Sequence, residues 1–171
     1  MSKNLHKQHD PGQNDRSLIL DETELLTWFG IAARSAQMFE TALAQLTIGV
    51  FMVEHQKEMF TNLGENPFES IKKHTLGQLL ARAKQVVEFD PILENQLQEA
   101  VRTRNHLFHH FFSDNKTRSE LIDELRSAMN QFIQTTKALR DLTTPIINNL
   151  GMTINDLDAQ VQPWRNKDID M

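Results

Sequence analysis

The residues best suited to chemistry lie within one short central segment, residues 101–112. It contains two arginines, one asparagine and three of the seven histidines of the chain, namely Arg102, Arg104, Asn105, His106, His109 and His110. Arginine binds phosphate and carboxylate groups through several N–H donors, and histidine gains or loses a proton near neutral pH. The segment therefore combines residue types that bind an anion with residue types that transfer protons.

Arg104 stands out because the spacing of apolar residues places it on the apolar side of a helix. Between residues 93 and 111 apolar side chains recur at steps of three and four, which is typical of an amphipathic helix with about 100° per residue. A buried arginine is costly unless it is paired or faces a cleft. Glu40 and Glu124 are candidate partners. We expect Glu40 instead to lie at the solvent boundary of its own helix.

The other polar residues of the segment fall at different angles around the same helix. Asn105 and His109 share the border of the apolar stripe, whereas Arg102 and His106 face the opposite, solvent side. Arg104 and His109 are separated by about 140° on an ideal helix, at about 100° per residue. One chain would therefore not readily direct both side chains at one phosphate, unless the helix breaks near Leu107 or a second chain completes the site.

A metal site is the first alternative for the histidines. His106 and His110 are four residues apart, a spacing that suits two ligands on one face of a helix. No third ligand occurs at a matching spacing, so His74 would have to come from elsewhere in the fold. The sequence therefore predicts neither a metal site nor a cofactor. A second alternative is purely structural, with Arg104 paired to a carboxylate and the histidines lining a helix end.

The composition indicates one soluble domain of ordinary type. The chain has 171 residues, a net charge of -5 and no cysteine, which excludes disulfides and thiolate metal sites and suits the cytoplasm. We find no signal peptide and no apolar run of about 20 residues that would span a membrane. Residues 72–118 contain eight Lys or Arg against five Asp or Glu. The acidic chain therefore offers a local positive surface.

The apolar periodicity predicts an all-α fold, an up-and-down four-helix bundle with a short additional C-terminal helix or turn. We expect a disordered tail over residues 1–17, the helical bundle domain over residues 18–150 and a C-terminal extension over residues 151–171. The first helix should run from a cap at Asp21 to about Glu58. A break follows, with Gly64 and Pro67 as the strongest signals.

Local capping signals predict where the later helices begin and end. Thr75 should cap the second helix, and Asp90 followed by a proline should begin the third. The third helix should end near residues 113–115, where Asp114 or Asn115 would cap the fourth. Pro145 should end or bend that fourth helix.

The pattern Arg-Asn-x-Leu-x-His-x-Phe-Phe, late in the third helix of such a bundle, resembles the HEPN superfamily. Ribonuclease members of that superfamily carry an Arg-x(4–6)-His motif in which a polar residue often follows the arginine. Arg104, Asn105 and His109 fit this motif with four intervening residues, and His110 fits it with five. Residues 75–80 also resemble the start of the second helix in bacterial members.

The resemblance implies a metal-independent endoribonuclease, often the toxin of a toxin–antitoxin pair with a nucleotidyltransferase-like antitoxin. Such proteins form homodimers in which two motifs face one cleft. Arg104, His109 and Asn105 would be the catalytic residues, with Arg102 and His110 as further substrate contacts, and the RNA products would be a 2′,3′-cyclic phosphate and a 5′-hydroxyl. The alternative is a non-catalytic helical-bundle regulator that binds a partner protein or a nucleotide.

Overall fold

The computed structural model describes residues 11–54, 74–113 and 115–165 and forms a helical bundle. Five α-helices follow one another along the chain: α1 (Pro11–Glu54), α2 (Leu76–Val86), α3 (Pro91–His109), α4 (Arg118–Asn148) and α5 (Ile154–Arg165), with a 3₁₀ turn at Phe111–Ser113. No strand occurs in these ranges. The predicted all-α bundle with a short C-terminal helix is therefore confirmed.

Helix α1 is the central element, and it packs along most of α4. Phe39 of α1 and Phe132 of α4 are both fully buried, with ring centroids 6.0 Å apart. Gly49 allows the two helices to approach closely, since a Cβ at this position would lie 3.2 Å from Cγ2 of Ile147. The helix α5 closes the core with the fully buried Leu157.

By length and composition, the part of α1 from Glu22 to Glu54 could cross a membrane. In this fold, however, 67% of its apolar window is buried. Apolar side chains of α1 such as Leu43 and Leu46 are fully buried in the bundle core. The apolar character of the segment is thus accounted for by its packing against the other helices.

The helix starts confirm two predicted caps and correct two others. Thr75 and Asp90 cap α2 and α3 as expected. The N-cap predicted at Asp21 is wrong, because α1 begins at Pro11 and contains Asp21. The cap of α4 is Thr117 instead of Asp114 or Asn115, because Thr117 and Glu120 form a complete capping box.

The predicted ends of the helices also need correction. Helix α3 ends at His109, a few residues earlier than expected. Pro145 does not end α4, which continues to Asn148. Residues 11–17, predicted as part of a disordered tail, belong to α1. The predicted break at Gly64 and Pro67 and residues 1–10 lie outside the described residues.

Candidate functional site

A cleft opens between the middle of α1, the start of α2 and the C-terminal half of α3. Its volume is about 660 Å³, and its lining residues are Glu40, His74, Thr75, Leu76, Gly77, Leu79, Arg104, Asn105 and His109. Local sequence fixes where two of the three helices that form the cleft begin. The capping box of Thr75 fixes the start of α2, with the Thr75 N–H donating to Gln78 Oε1 at 2.8 Å, and the Asp90 cap fixes the start of α3.

Arg104 is held in this cleft by three neighbours. Its Nε donates to Glu40 Oε1, and its Nη1 lies 3.4 Å from Oδ1 of Asn105. The guanidinium carbon lies 4.8 Å from the ring centroid of Phe108, one turn further along α3, in the arrangement of a cation–π contact. The side chains of Arg104 and Glu40 are 27% and 31% exposed. The arginine is thus both paired and open to the cleft.

We expected Glu40 to lie at the solvent boundary of its helix. It is instead paired with Arg104. The sequence does contain a signal for the pairing. Between Arg34 and Glu54, Glu40 is the only charged residue of α1, just as Arg104 interrupts the apolar stripe of α3. Two opposite charges isolated in two apolar seams favour a contact between the seams.

Three of the five predicted site residues lie together in the cleft, namely Arg104, Asn105 and His109. Arg102 does not line it, because its side chain is 70% exposed and pairs with Glu99 on α3. His110 does not line it either. It caps the C-terminus of α3, and its ring centroid lies 6.3 Å from that of His109.

The common cleft bears on the argument from helix geometry. The separation of about 140° at about 100° per residue suggested that one chain would not readily direct Arg104 and His109 at one ligand. Both nevertheless line one cleft of a single chain, because the cleft is wide and α1 and α2 supply its other walls. Sequence reasoning missed His74 as a lining residue, since only the tertiary fold brings it there.

The helix position of His106 predicted a side chain that faces solvent, but the structure gives it a partner on α4. His106 is half-buried, and its Nε2 lies 3.1 Å from Glu124 Oε1 on α4. The other oxygen of Glu124 lies 2.7 Å from Nζ of Lys116. Glu124 thus pairs with His106 and not with Arg104. The cluster of His106, Glu124 and Lys116 joins α3 to α4 outside the cleft.

The cleft can bind an anion and move protons. Arg104 presents a guanidinium, Asn105 an amide, and His74 and His109 two imidazoles. Among the described residues, no group of three or more His, Asp or Glu side chains is arranged to hold a metal ion. Comparisons of the chain with protein-family models, with curated protein sequences and with solved structures found no match.

Proposed function

We propose that this chain is a HEPN-like, metal-independent endoribonuclease. Its Arg104, Asn105 and His109 would act on an RNA phosphate in the cleft between α1, α2 and α3. The observation that carries the proposal is that these three residues, first grouped by sequence spacing, line one cleft of about 660 Å³ in the folded chain. A cleft of this volume accommodates a ligand of nucleotide size.

Arg104 is suited to bind the phosphate. Its guanidinium has five N–H donors, and the contacts described above use Nε for Glu40 and Nη1 for Asn105. These contacts hold the planar guanidinium in one orientation at the cleft and leave N–H donors of Nη1 and Nη2 for a ligand. A fixed arginine stabilises the charge that develops on a phosphate during transfer, because it needs no reorganisation at that moment.

His109 is suited to transfer a proton. Its side chain is exposed at the end of α3, and imidazole is the side chain most often used as a general acid or base. It can take the proton of the 2′-hydroxyl or protonate the leaving 5′-oxygen. Cleavage would then give a 2′,3′-cyclic phosphate and a 5′-hydroxyl.

The test is RNA cleavage in EDTA by the wild type, Arg104→Ala and His109→Ala, after circular dichroism has shown that each variant folds. We expect Arg104→Ala to lose about 10²–10³-fold in rate, as for removal of an oxyanion donor. His109→Ala should lose about 10²–10⁴-fold, as for removal of a general acid or base. Full cleavage by either folded variant would contradict the proposed site.

The expected partner is a second copy of the chain. Three exposed apolar side chains are candidates for this contact, Leu26, Phe108 and Phe112, which are 55%, 40% and 60% exposed. Phe108 lies against Arg104 at the cleft. Phe112 contacts Phe29 of α1, with ring centroids 5.0 Å apart, and Leu26 lies one turn before Phe29. Apolar surface of this kind on a folded domain marks an interaction site, and we assign it to the homodimer.

The cellular role that goes with this activity is that of a cytoplasmic toxin. In that role the chain would be controlled by a nucleotidyltransferase-like antitoxin or another protein regulator. The support is the resemblance in the residues 104–112, together with the cleft described above. The acidic net charge of -5 is unfavourable for RNA affinity in general, so binding would depend on the cleft itself.

A second candidate is a non-catalytic bundle that binds a partner protein or a nucleotide. The observation that favours it is the ion pair between Glu40 and Arg104, because a guanidinium paired within the fold can have a purely structural purpose. The cleavage experiment separates the two candidates. A folded wild type that cuts no RNA, but binds a nucleotide in the cleft, would support this second function.

A further inference from the structure

The cleft has a second histidine, beside the start of α2. His74 immediately precedes the capping residue Thr75, and both line the cleft together with Arg104 and His109. His74 is half-buried, whereas His109 is exposed. The two imidazoles therefore reach the same cleft from different parts of the fold, together with Arg104 and Glu40.

We propose that His74 and His109 are the two proton-transfer residues of one complete site within a single chain. This inference rests on the proposed ribonuclease function and specifies it further. It replaces the need for a second chain, because acid, base and phosphate-binding groups are all present in one cleft. A homodimer would then carry two separate sites instead of one composite site.

The reaction balances with these groups alone. The neutral imidazole of one histidine accepts the proton of the 2′-hydroxyl as the 2′-oxygen forms a bond to phosphorus. The bond between phosphorus and the 5′-oxygen breaks, and the protonated imidazole of the other histidine gives its proton to that oxygen. The enzyme ends with the two protonation states exchanged, and solvent restores them.

The other charged groups in the cleft fit this scheme. Arg104 binds the phosphate oxygens, which carry more negative charge in the transition state. Glu40 of α1 is bonded to Arg104 and fixes its orientation. The start of α2 adds the positive end of a helix dipole to the same wall, whereas α4 and α5 contribute no described residue to the lining.

The experiment compares His74→Ala, His109→Ala and an equimolar mixture of the two, unfolded and refolded together. Cleavage is measured in EDTA. We expect each variant to lose about 10²–10⁴-fold in rate. The mixture should stay inactive, because no chain contains both histidines. His106→Ala is the matched control, since His106 lies on α3 but contacts Glu124 outside the cleft. It should cleave RNA like the wild type.

A pH profile distinguishes proton transfer from a structural effect of His74. The wild type should show a bell-shaped dependence of kcat/KM on pH, because one histidine must be neutral and the other protonated. His74→Ala and His109→Ala should each lose one limb of the bell, and a different one. A substrate with a 2′-deoxyribose at the cleavage point should not be cut by any of the proteins.

Each contrary outcome has a definite meaning. Wild-type rates in His74→Ala, together with an inactive His109→Ala, would overturn this inference and leave the proposed function standing. Activity restored by mixing, to about a quarter of the sites if two-fold dimers form at random, would show a composite site and overturn the single-chain assignment. A folded wild type without cleavage would overturn the proposed function and this inference together.

Discussion

Arg104 shows how a side chain that is unfavourable in an apolar seam becomes part of a site. Burying a charge is costly unless the charge is paired, and here Glu40 supplies the pairing through Nε. Phe108 covers one face of the guanidinium at 4.8 Å. Because both side chains are about one-third exposed or less, the pair is partly buried and still open to water from the cleft.

At this scale, Glu40→Gln should strengthen RNA binding by up to about tenfold, the equivalent of about 1.4 kcal/mol. The glutamine keeps the shape of the side chain but removes the negative charge that, in the proposed site, would compete with phosphate for Arg104. The loss of the ion pair should destabilise the fold by about 1 kcal/mol or less. Filter binding with an RNA oligonucleotide and thermal unfolding measure the two effects.

Glu99→Gln is the matched control for this change. Glu99 pairs with Arg102, whose side chain is 70% exposed on another side of α3, so RNA binding in the cleft should not change. Unchanged or weaker binding by Glu40→Gln would show that the carboxylate does not compete with the substrate. It would favour the structural view of the ion pair.

The helix termini are where the sequence controls the bundle most directly. Thr117 accepts a hydrogen bond from the Glu120 N–H at 3.4 Å, and the Glu120 carboxylate accepts one from the Thr117 N–H at 2.7 Å. Hydrogen bonds from the hydroxyl and the N–H of Thr117 lower the pKa of Glu120 from its ordinary value. Thr153 lowers the pKa of Asp156 in the same way at the start of α5.

The lowered pKa of Glu120 predicts a dependence of stability on pH. Because the folded state holds the proton more weakly than the unfolded state, this contribution is complete above the ordinary pKa of 4.5 and disappears as the pH falls through the folded pKa. Glu120→Gln should therefore be less stable than the wild type at pH 7. The difference should shrink towards pH 3 in urea unfolding experiments.

Asp123→Asn provides a comparison on the same helix. Asp123 lies in the first turns of α4 and its side chain is 72% exposed, outside the capping box. Asp123→Asn should change the pH dependence of the free energy of unfolding less than Glu120→Gln does. Equal pH dependence in the wild type and Glu120→Gln would contradict the assignment of the effect to the cap.

At the scale of the whole molecule, the exposed phenylalanines near the end of α3 are the feature that the core does not explain. Phe111 is buried with 2% exposure, while its neighbour Phe112 is 60% exposed. The two rings pack edge-on at 5.0 Å. The apolar contacts of the core therefore continue outward through Phe112, and Leu26 and Phe108 are exposed as well.

If the proposed homodimer forms through these side chains, Phe112→Asp should convert it into a monomer, because a charge in an apolar interface must lose its hydration without gaining a partner. Light scattering after size exclusion measures the mass. The control is Ile92→Asp, since Ile92 is 70% exposed near the start of α3. It should leave the mass unchanged. A folded wild type that is monomeric at high concentration would contradict this interface.

Much of the fold could be predicted because its signals are local. Apolar residues at helical spacing give the helices, and side chains that bond to backbone within three residues give the caps at Thr75 and Asp90. The error at Asn115 comes from the same source. Several polar residues near a helix start can act as caps, and the complete capping box of Thr117 and Glu120 prevails over Asn115.

The sequence by itself therefore determined the helical class, the starts of α2 and α3 and the grouping of Arg104, Asn105 and His109. Only the tertiary structure decided what lies opposite them. Glu40 is 64 positions from Arg104 along the chain, and His74 reaches the cleft because α2 packs against α1. Contacts of this kind depend on how apolar faces pack in three dimensions, and no local spacing encodes the side chains that such packing brings together.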